Sequence, residues 1–118
     1  MNSGSLRVPL LSAQTADETA SQPVDCSGFP NVSVYVTGTD TTSSGVITIE
    51  EADFDPSVLA SAPYTGTWSS ITTVNASDVD GGKQKAIHLP VGAYGWVRTR
   101  ISTVIGGGGS ISTSLRAS

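Results

Sequence analysis

The sequence predicts an all-β protein, an antiparallel β-sandwich of the jelly-roll or immunoglobulin-like kind with about seven strands. Ser and Thr supply 32 of the 118 residues, and Val and Ile are common while the good helix formers are scarce. Several segments alternate apolar and polar residues, as strands with one buried face do. Polar turns rich in Gly, Asp and Ser separate these segments, which favours many short strands over helices.

The clearest strand follows Asn31. Val32, Val34 and Val36 share one face, and the polar residues between them share the other, so this strand is expected to be half-buried. A polar loop then leads into a second alternating strand at residues 46–50. Together these segments predict a strand-loop-strand unit.

Four further strands are predicted by the same alternation. The strongest places Val97 and Ile101 on one side and Trp96, Arg98 and Arg100 on the other. Pro90 interrupts an earlier strand and indicates an edge position. The four predicted strands cover residues 68–74, 85–91, 94–104 and 111–115, with the glycines at 106–109 turning the chain before the last, and one helical turn is expected at 55–60.

These patterns fix an expected core of residues that point to the buried face of each strand. Between the two sheets we expect Val32, Val34, Val36, Ile47, Ile49, Ile87, Leu89, Val97, Ile101, Ile111 and Leu115.

The first 21 residues differ from the rest, so we divide the chain into an N-terminal arm (1–21) and a β-sandwich domain (22–118). An apolar piece at residues 6–11 precedes a polar run without period-2 alternation, which fits either an extended arm or a first edge strand followed by a long loop. We favour an arm that orders only against a partner, so that deletion of residues 1–12 leaves the domain folded. Its predicted partner-binding residues are Leu6, Val8, Leu10 and Leu11.

Charge is divided unevenly along the chain. The net charge is -4 and the pI about 4.6, which argues against nucleic acid as the partner. Residues 12–80 hold ten acids and no bases, whereas residues 81–118 hold five bases and no acids. This division indicates either ion pairs between strands or a polarised surface that docks in one orientation.

Arg98 and Arg100 alternate with Trp96 on one face of the strongest strand, and we predict that these three residues bind a partner. The alternative is that both arginines pair internally with acids such as Glu50 and Glu51 on a neighbouring strand.

Few residues suggest catalytic chemistry. One histidine, His88, and one cysteine, Cys26, are too few for a zinc site of the Cys/His kind within one chain. We assign no catalytic, cofactor-binding or metal-binding residue and expect no enzyme. Calcium binding by Glu50, Glu51, Asp53 and Asp55 or by Asp78 and Asp80 is the alternative to solvated turn acids.

The segment of residues 94–101, Tyr-Gly-Trp-Val-Arg-Thr-Arg-Ile, is followed by a glycine loop and a Ser/Thr-rich strand. This hairpin resembles the closing hairpin of small β-sandwich structural proteins of tailed bacteriophages. Segments 31–36 and 46–51 and the pair Thr67-Trp68 are similar to the same layout, whereas 52–66 is a longer insertion and 1–21 has no counterpart.

The resemblance implies a virion protein without enzymatic activity, a decoration or cement subunit that binds and stabilises the assembled phage head. It implies the major capsid protein as partner and a homo-oligomer on the capsid surface. The acidic charge and the lack of a long apolar stretch lead us to expect neither nucleic acid nor membrane as partner, and synthesis in the host cytoplasm. A tail, baseplate or fibre module is the first alternative. The second is a carbohydrate-binding sandwich, for which Tyr64, Trp68, Tyr94 or Trp96 would have to form an exposed stacking platform.

Overall fold

The computed structural model describes residues 5–52 and 68–118, and within them the chain forms eight β-strands and one short 3-10 helix. The predicted helical turn at 55–60 lies outside these residues. The strands are β1 (Leu6–Pro9), β2 (Val24–Asp25), β3 (Val32–Thr39), β4 (Ser44–Ala52), β5 (Ser69–Asn75), β6 (Gln84–His88), β7 (Trp96–Gly106) and β8 (Ser110–Ala117); the 3-10 helix is Ala76–Val79.

The strands form two four-stranded sheets, in the orders β1-β8-β3-β6 and β2-β7-β4-β5. Every pairing is antiparallel. The pairs are nested, because β1 joins β8, β2 joins β7, β3 joins β6 and β4 joins β5. Nested pairs split between two sheets are the jelly-roll arrangement. The predicted β-sandwich is therefore confirmed, in its jelly-roll form.

The N-terminal segment lies along the sandwich, which corrects the expected arm for the part of it that the structure describes. β1 pairs with β8, and the chain continues beside β8 as far as Gln14, which bridges to Ile111. It then crosses to the other sheet and runs beside β7, where the amide of Ser21 donates to the carbonyl of Thr99 at 2.8 Å. Residues 6–25 therefore supply an edge to both sheets, so the alternative of an edge strand followed by a long connection describes them.

The core between the sheets follows the alternation of the sequence. Ten of the eleven predicted residues are buried; the exception, Ile87 on edge strand β6, is half-buried against the core. The predicted strand at 85–91 ends early at His88, and Val91 beyond it is 78% exposed. The N-terminal segment also contributes to the core, because Leu11 is 5% exposed and belongs to the core cluster.

Two polar side chains inside the core satisfy each other. The hydroxyls of Thr99 and Thr113 are 2.7 Å apart, and Thr113 Oγ1 also accepts from the backbone amide of Leu11 at 3.0 Å. Buried hydroxyls need such partners, since an unpaired one costs about 1–3 kcal/mol. These bonds therefore anchor the N-terminal segment to β8.

The turn between β7 and β8 depends on glycine, as its sequence predicts. Gly107 and Gly108 have φ angles of 106° and 93°, which residues with a Cβ atom rarely adopt.

No helix among the residues described is long and apolar enough to cross a membrane.

Candidate functional site

The sandwich leaves each sheet one outer face, formed by the polar residues that alternate with the core. The outer face of β2-β7-β4-β5 carries Trp96, Arg98 and Arg100, the predicted partner-binding residues. The outer face of β1-β8-β3-β6 carries Arg7 and Arg116. The two faces differ in how their arginines are paired.

On the outer face of β2-β7-β4-β5, one carboxylate holds two arginines. Glu50 on β4 is the direct cross-strand partner of Arg98 on β7. Arg98 Nε donates to Glu50 Oε1 at 3.0 Å, and Arg100 Nε and Nη2 each lie 3.1 Å from Glu50 Oε2. The side chain of Glu50 is only 6% exposed. Such charge-assisted contacts are stronger than ordinary hydrogen bonds.

Two further groups extend this cluster. The guanidinium carbon of Arg98 lies 4.1 Å from the ring centre of Trp68, a cation-π contact. Arg100 Nη1 also donates to Glu18 Oε1 at 3.0 Å, which ties the N-terminal segment to β7. The hydrogen bond that Arg100 donates to Glu50 raises the pKa of Arg100 above its ordinary value, against the opposing effect of burial.

Arg98 and Arg100 are therefore paired within the chain, as the alternative interpretation of the sequence proposed. Their acidic partners are Glu50 and Glu18, not Glu51. The guanidinium groups of Arg98 and Arg100 are engaged within the chain, so partner binding by Arg98, Arg100 and Trp96 stays an untested alternative to binding through the other sheet. Of the residues named for the alternative sugar platform, Trp68 makes the contact with Arg98 and Tyr94 donates to the carbonyl of Pro90. Tyr64 lies outside the residues described, so the platform stays an untested alternative.

The apolar N-terminal residues predicted to bind a partner are placed against the core. Leu11 is buried, and Leu6, Val8 and Leu10 are partly buried hydrophobic residues packed on the core cluster. These contacts place the four residues within their own domain, and partner binding by them stays a prediction.

The outer face of β1-β8-β3-β6 has the opposite character. Arg7 on β1 and Arg116 on β8 are direct antiparallel partners, and both are exposed. The same row continues through Ser33 to His88, whose ring nitrogen Nδ1 lies 2.7 Å from the serine hydroxyl. None of these four strands contains an Asp or a Glu. Among the residues described, neither arginine has an ion-pair partner.

A cleft of about 480 Å³ opens beside this arginine pair. Its position follows from the register, because the next row across the sheet contains Pro9, Ser114 and Tyr35. Clefts that bind ligands commonly enclose about 300–1,000 Å³. The cleft is lined by Arg7, Val8, Pro9, Tyr35, Gln84, Ser114, Leu115 and Arg116.

Sequence analysis missed this site because Arg7 and Arg116 lie at opposite ends of the chain. Alternation with apolar residues places each of them on an outer face. Only the pairing of the first strand with the last brings them together.

The two acids of the turn before β6 that were considered as calcium ligands have partners within the chain. Asp78 pairs with Lys85 at 3.1 Å, and Asp80 Oδ1 accepts from the amide of Thr42 at 2.9 Å. Burial, with a smaller effect from Asp25, raises the pKa of Cys26 to about 11. Within residues 5–52 and 68–118, no three His, Cys, Asp or Glu side chains are placed to hold a metal ion. Asp53 and Asp55 lie outside this part of the chain.

No family model and no curated protein matches the chain. Among solved structures it is similar to the PBSX exported protein XepA, with a TM-score of 0.54 and 17% identity over 95% of this chain. The chain spans only 36% of XepA, about a third of its length.

The chain is also similar to two binding domains with lower scores. The K2 cleaved adhesin domain of Lys-gingipain gives a TM-score of 0.47 at 12% identity, over 84% of this chain and 61% of that domain. The C-terminal CBM6 of LamC from Zobellia galactanivorans gives 0.45 at 8% identity, over 97% and 99%. The similarity to XepA, at 17% identity, shows a common fold alone.

Proposed function

We propose that the chain is a non-enzymatic structural protein of a tailed-phage particle, a decoration subunit that binds and stabilises the assembled head. The jelly roll is a fold used by viral capsid proteins and by lectins, and the closing hairpin resembles that of phage structural proteins. The fold alone does not choose between these uses.

The observation that carries the proposal is the difference between the two outer faces. One face has its arginines neutralised by Glu50 and Glu18. The other presents Arg7 and Arg116 without an acid on any of its four strands. A subunit that must add to a preformed lattice in one orientation needs one adhesive face and one inert face. This difference supports docking through β1-β8-β3-β6.

The partner in this proposal is the major capsid protein, and several copies occupy the capsid surface as a homo-oligomer. The charge complementarity predicts an acidic surface on the assembled head. It also predicts faster association at low ionic strength, because exposed charges are screened by salt.

The test is sedimentation of purified protein with phage heads that lack it. We expect the protein to sediment with heads to a saturating copy number and to raise their melting temperature, while unassembled capsid subunits bind none. Gold-labelled antibody on complete particles gives the location. Label on tails would overturn the head assignment in favour of a tail or baseplate module, and absence of label from particles would overturn the virion assignment.

A further inference from the structure

We propose that the cleft beside Arg7 and Arg116 binds a carboxylate-bearing segment of a protein partner, with both guanidinium groups on the same carboxylate or on two adjacent ones. The inference deepens the proposed function and rests on it for the identity of the partner, the capsid lattice. Direct cross-strand partners have Cβ atoms about 4.5–5.5 Å apart. Like charges on such directly opposite residues repel each other unless an anion lies between them.

On its opposite face the protein already contains one carboxylate bound by two arginines, which is the arrangement that a ligand would form with Arg7 and Arg116. There, Glu50 reaches both Arg98 and Arg100, with contacts of 3.0–3.1 Å. One carboxylate satisfies both cations because its two oxygens offer about four acceptor positions. The face of β1-β8-β3-β6 has the arginine pair, and its four strands contain no Asp or Glu to supply the carboxylate. A Glu or Asp of the partner would supply it.

The rest of the cleft suits a peptide. Tyr35 and Pro9 offer apolar surface, while Ser114 and Gln84 offer hydrogen-bonding groups. Gln84 Nε2 is positioned by a hydrogen bond to Thr37 Oγ1 at 3.3 Å. A cleft with cations at one end and mixed surface at the other fits an acidic residue followed by a neighbouring side chain.

A nucleic acid fits the same observations less well. Affinity for a phosphate backbone comes from many Lys and Arg contacts, and within residues 5–52 and 68–118 this face offers two arginines without an ion-pair partner. The net charge of -4 also opposes association with a long polyanion. Arginine forms bidentate contacts with carboxylates, so two suffice for a short acidic segment.

The test is calorimetric titration of the full chain with a Glu-rich heptapeptide and with the same peptide in which Gln replaces Glu. We expect binding of the Glu peptide alone. Arg7→Gln and Arg116→Gln should each weaken binding by about tenfold, since each loses hydrogen bonds to a charged group. Lys85→Gln is the matched control, because it removes one positive charge from the same sheet. The ammonium group of Lys85 is already paired with the carboxylate of Asp78. We expect less than about a twofold change for this control.

Three outcomes would overturn the inference. They are equal binding of both peptides, equal loss with Lys85→Gln, or tighter binding of oligothymidylate or an oligouronate than of the Glu peptide. Circular dichroism of each variant distinguishes loss of the site from loss of the fold.

Sedimentation of the same variants with heads separates this inference from the proposed function. Heads that bind the Arg7→Gln and Arg116→Gln variants as tightly as the original chain would overturn the cleft and leave head decoration standing. Heads that bind no protein, while the Glu peptide still binds, would overturn head decoration and leave the cleft standing.

Discussion

Arg7 and Arg116 lie directly opposite each other on the paired strands β1 and β8, with no acid on any strand of their sheet. Like charges directly opposite each other on a sheet are destabilising. Arg98 and Arg100 on the other sheet share the carboxylate of Glu50. Within the part of the chain that the structure describes, one arginine pair is thus neutralised and the other has no acidic partner.

Neutralising one member of the exposed pair should stabilise the isolated protein. For Arg116→Gln we expect the free energy of unfolding to rise by about 0.2–0.5 kcal/mol in about 0.01 M salt, because the repulsion is removed. Urea titrations should show the gain shrinking in about 0.5 M salt, where charges are screened. A loss of more than about 1 kcal/mol would mean that the guanidinium supports the fold.

Glu50 should be the most important ionised side chain for stability among the residues described. In Glu50→Gln the charge that neutralises two arginines is lost at a site only 6% exposed. We expect a loss of about 2 kcal/mol in urea titrations. Glu18→Gln is the control, because that carboxylate is 73% exposed; its loss should stay within about 0.5 kcal/mol. Equal effects would contradict the account.

The N-terminal segment should behave as part of the domain. Leu11→Ala removes a side chain that is 5% exposed, and we expect a loss of about 2–4 kcal/mol. Val104→Ala, at a side chain 55% exposed, should change stability by less than about 0.5 kcal/mol. Removing residues 1–12 should unfold the domain; a truncated chain with an unchanged melting temperature would restore the arm interpretation.

Cys26 should make stability depend on pH in the alkaline range. The folded thiol has a pKa of about 11, against an ordinary value of 9.0. The folded state therefore holds the proton more tightly, so this contribution is complete below pH 9 and is lost as the pH rises toward 11. Between pH 8 and about pH 10.5 it should fall by about 2 kcal/mol. Cys26→Ala should remove this part of the decline, and an unchanged decline would contradict the assignment.

The fold class could be predicted because alternation reports which side of a strand is buried. Val32, Val34 and Val36 follow this pattern and are all buried. The pattern was too short for the first strand: Leu6 and Val8 alternate with polar neighbours, but Leu10 and Leu11 are adjacent and break the period. The break in the alternation falls where β1 ends. In the sequence alone, the adjacent Leu10 and Leu11 therefore look like the apolar end of an extended arm.

The site could be predicted only in part, because alternation gives a residue its face and not its neighbours. Arg98 and Arg100 were correctly placed on one outer face. That Glu50 lies between them depends on β4 pairing with β7, and that Arg7 meets Arg116 depends on β1 pairing with β8. The order of the strands is decided by the tertiary fold. The charge division along the chain therefore did not show that the arginines of one sheet are paired with acids and that those of the other sheet are not.

The docking face can be tested most directly by hydroxyl-radical footprinting of the unmodified protein, free and bound to heads. Tyr35 lines the cleft on β1-β8-β3-β6, and Trp96 lies on the outer face of the other sheet; both are half-buried in the free protein. We expect oxidation of Tyr35 to fall several-fold on binding while that of Trp96 stays unchanged. Protection of Trp96 with Tyr35 unchanged would place the contact on the opposite face and contradict the account.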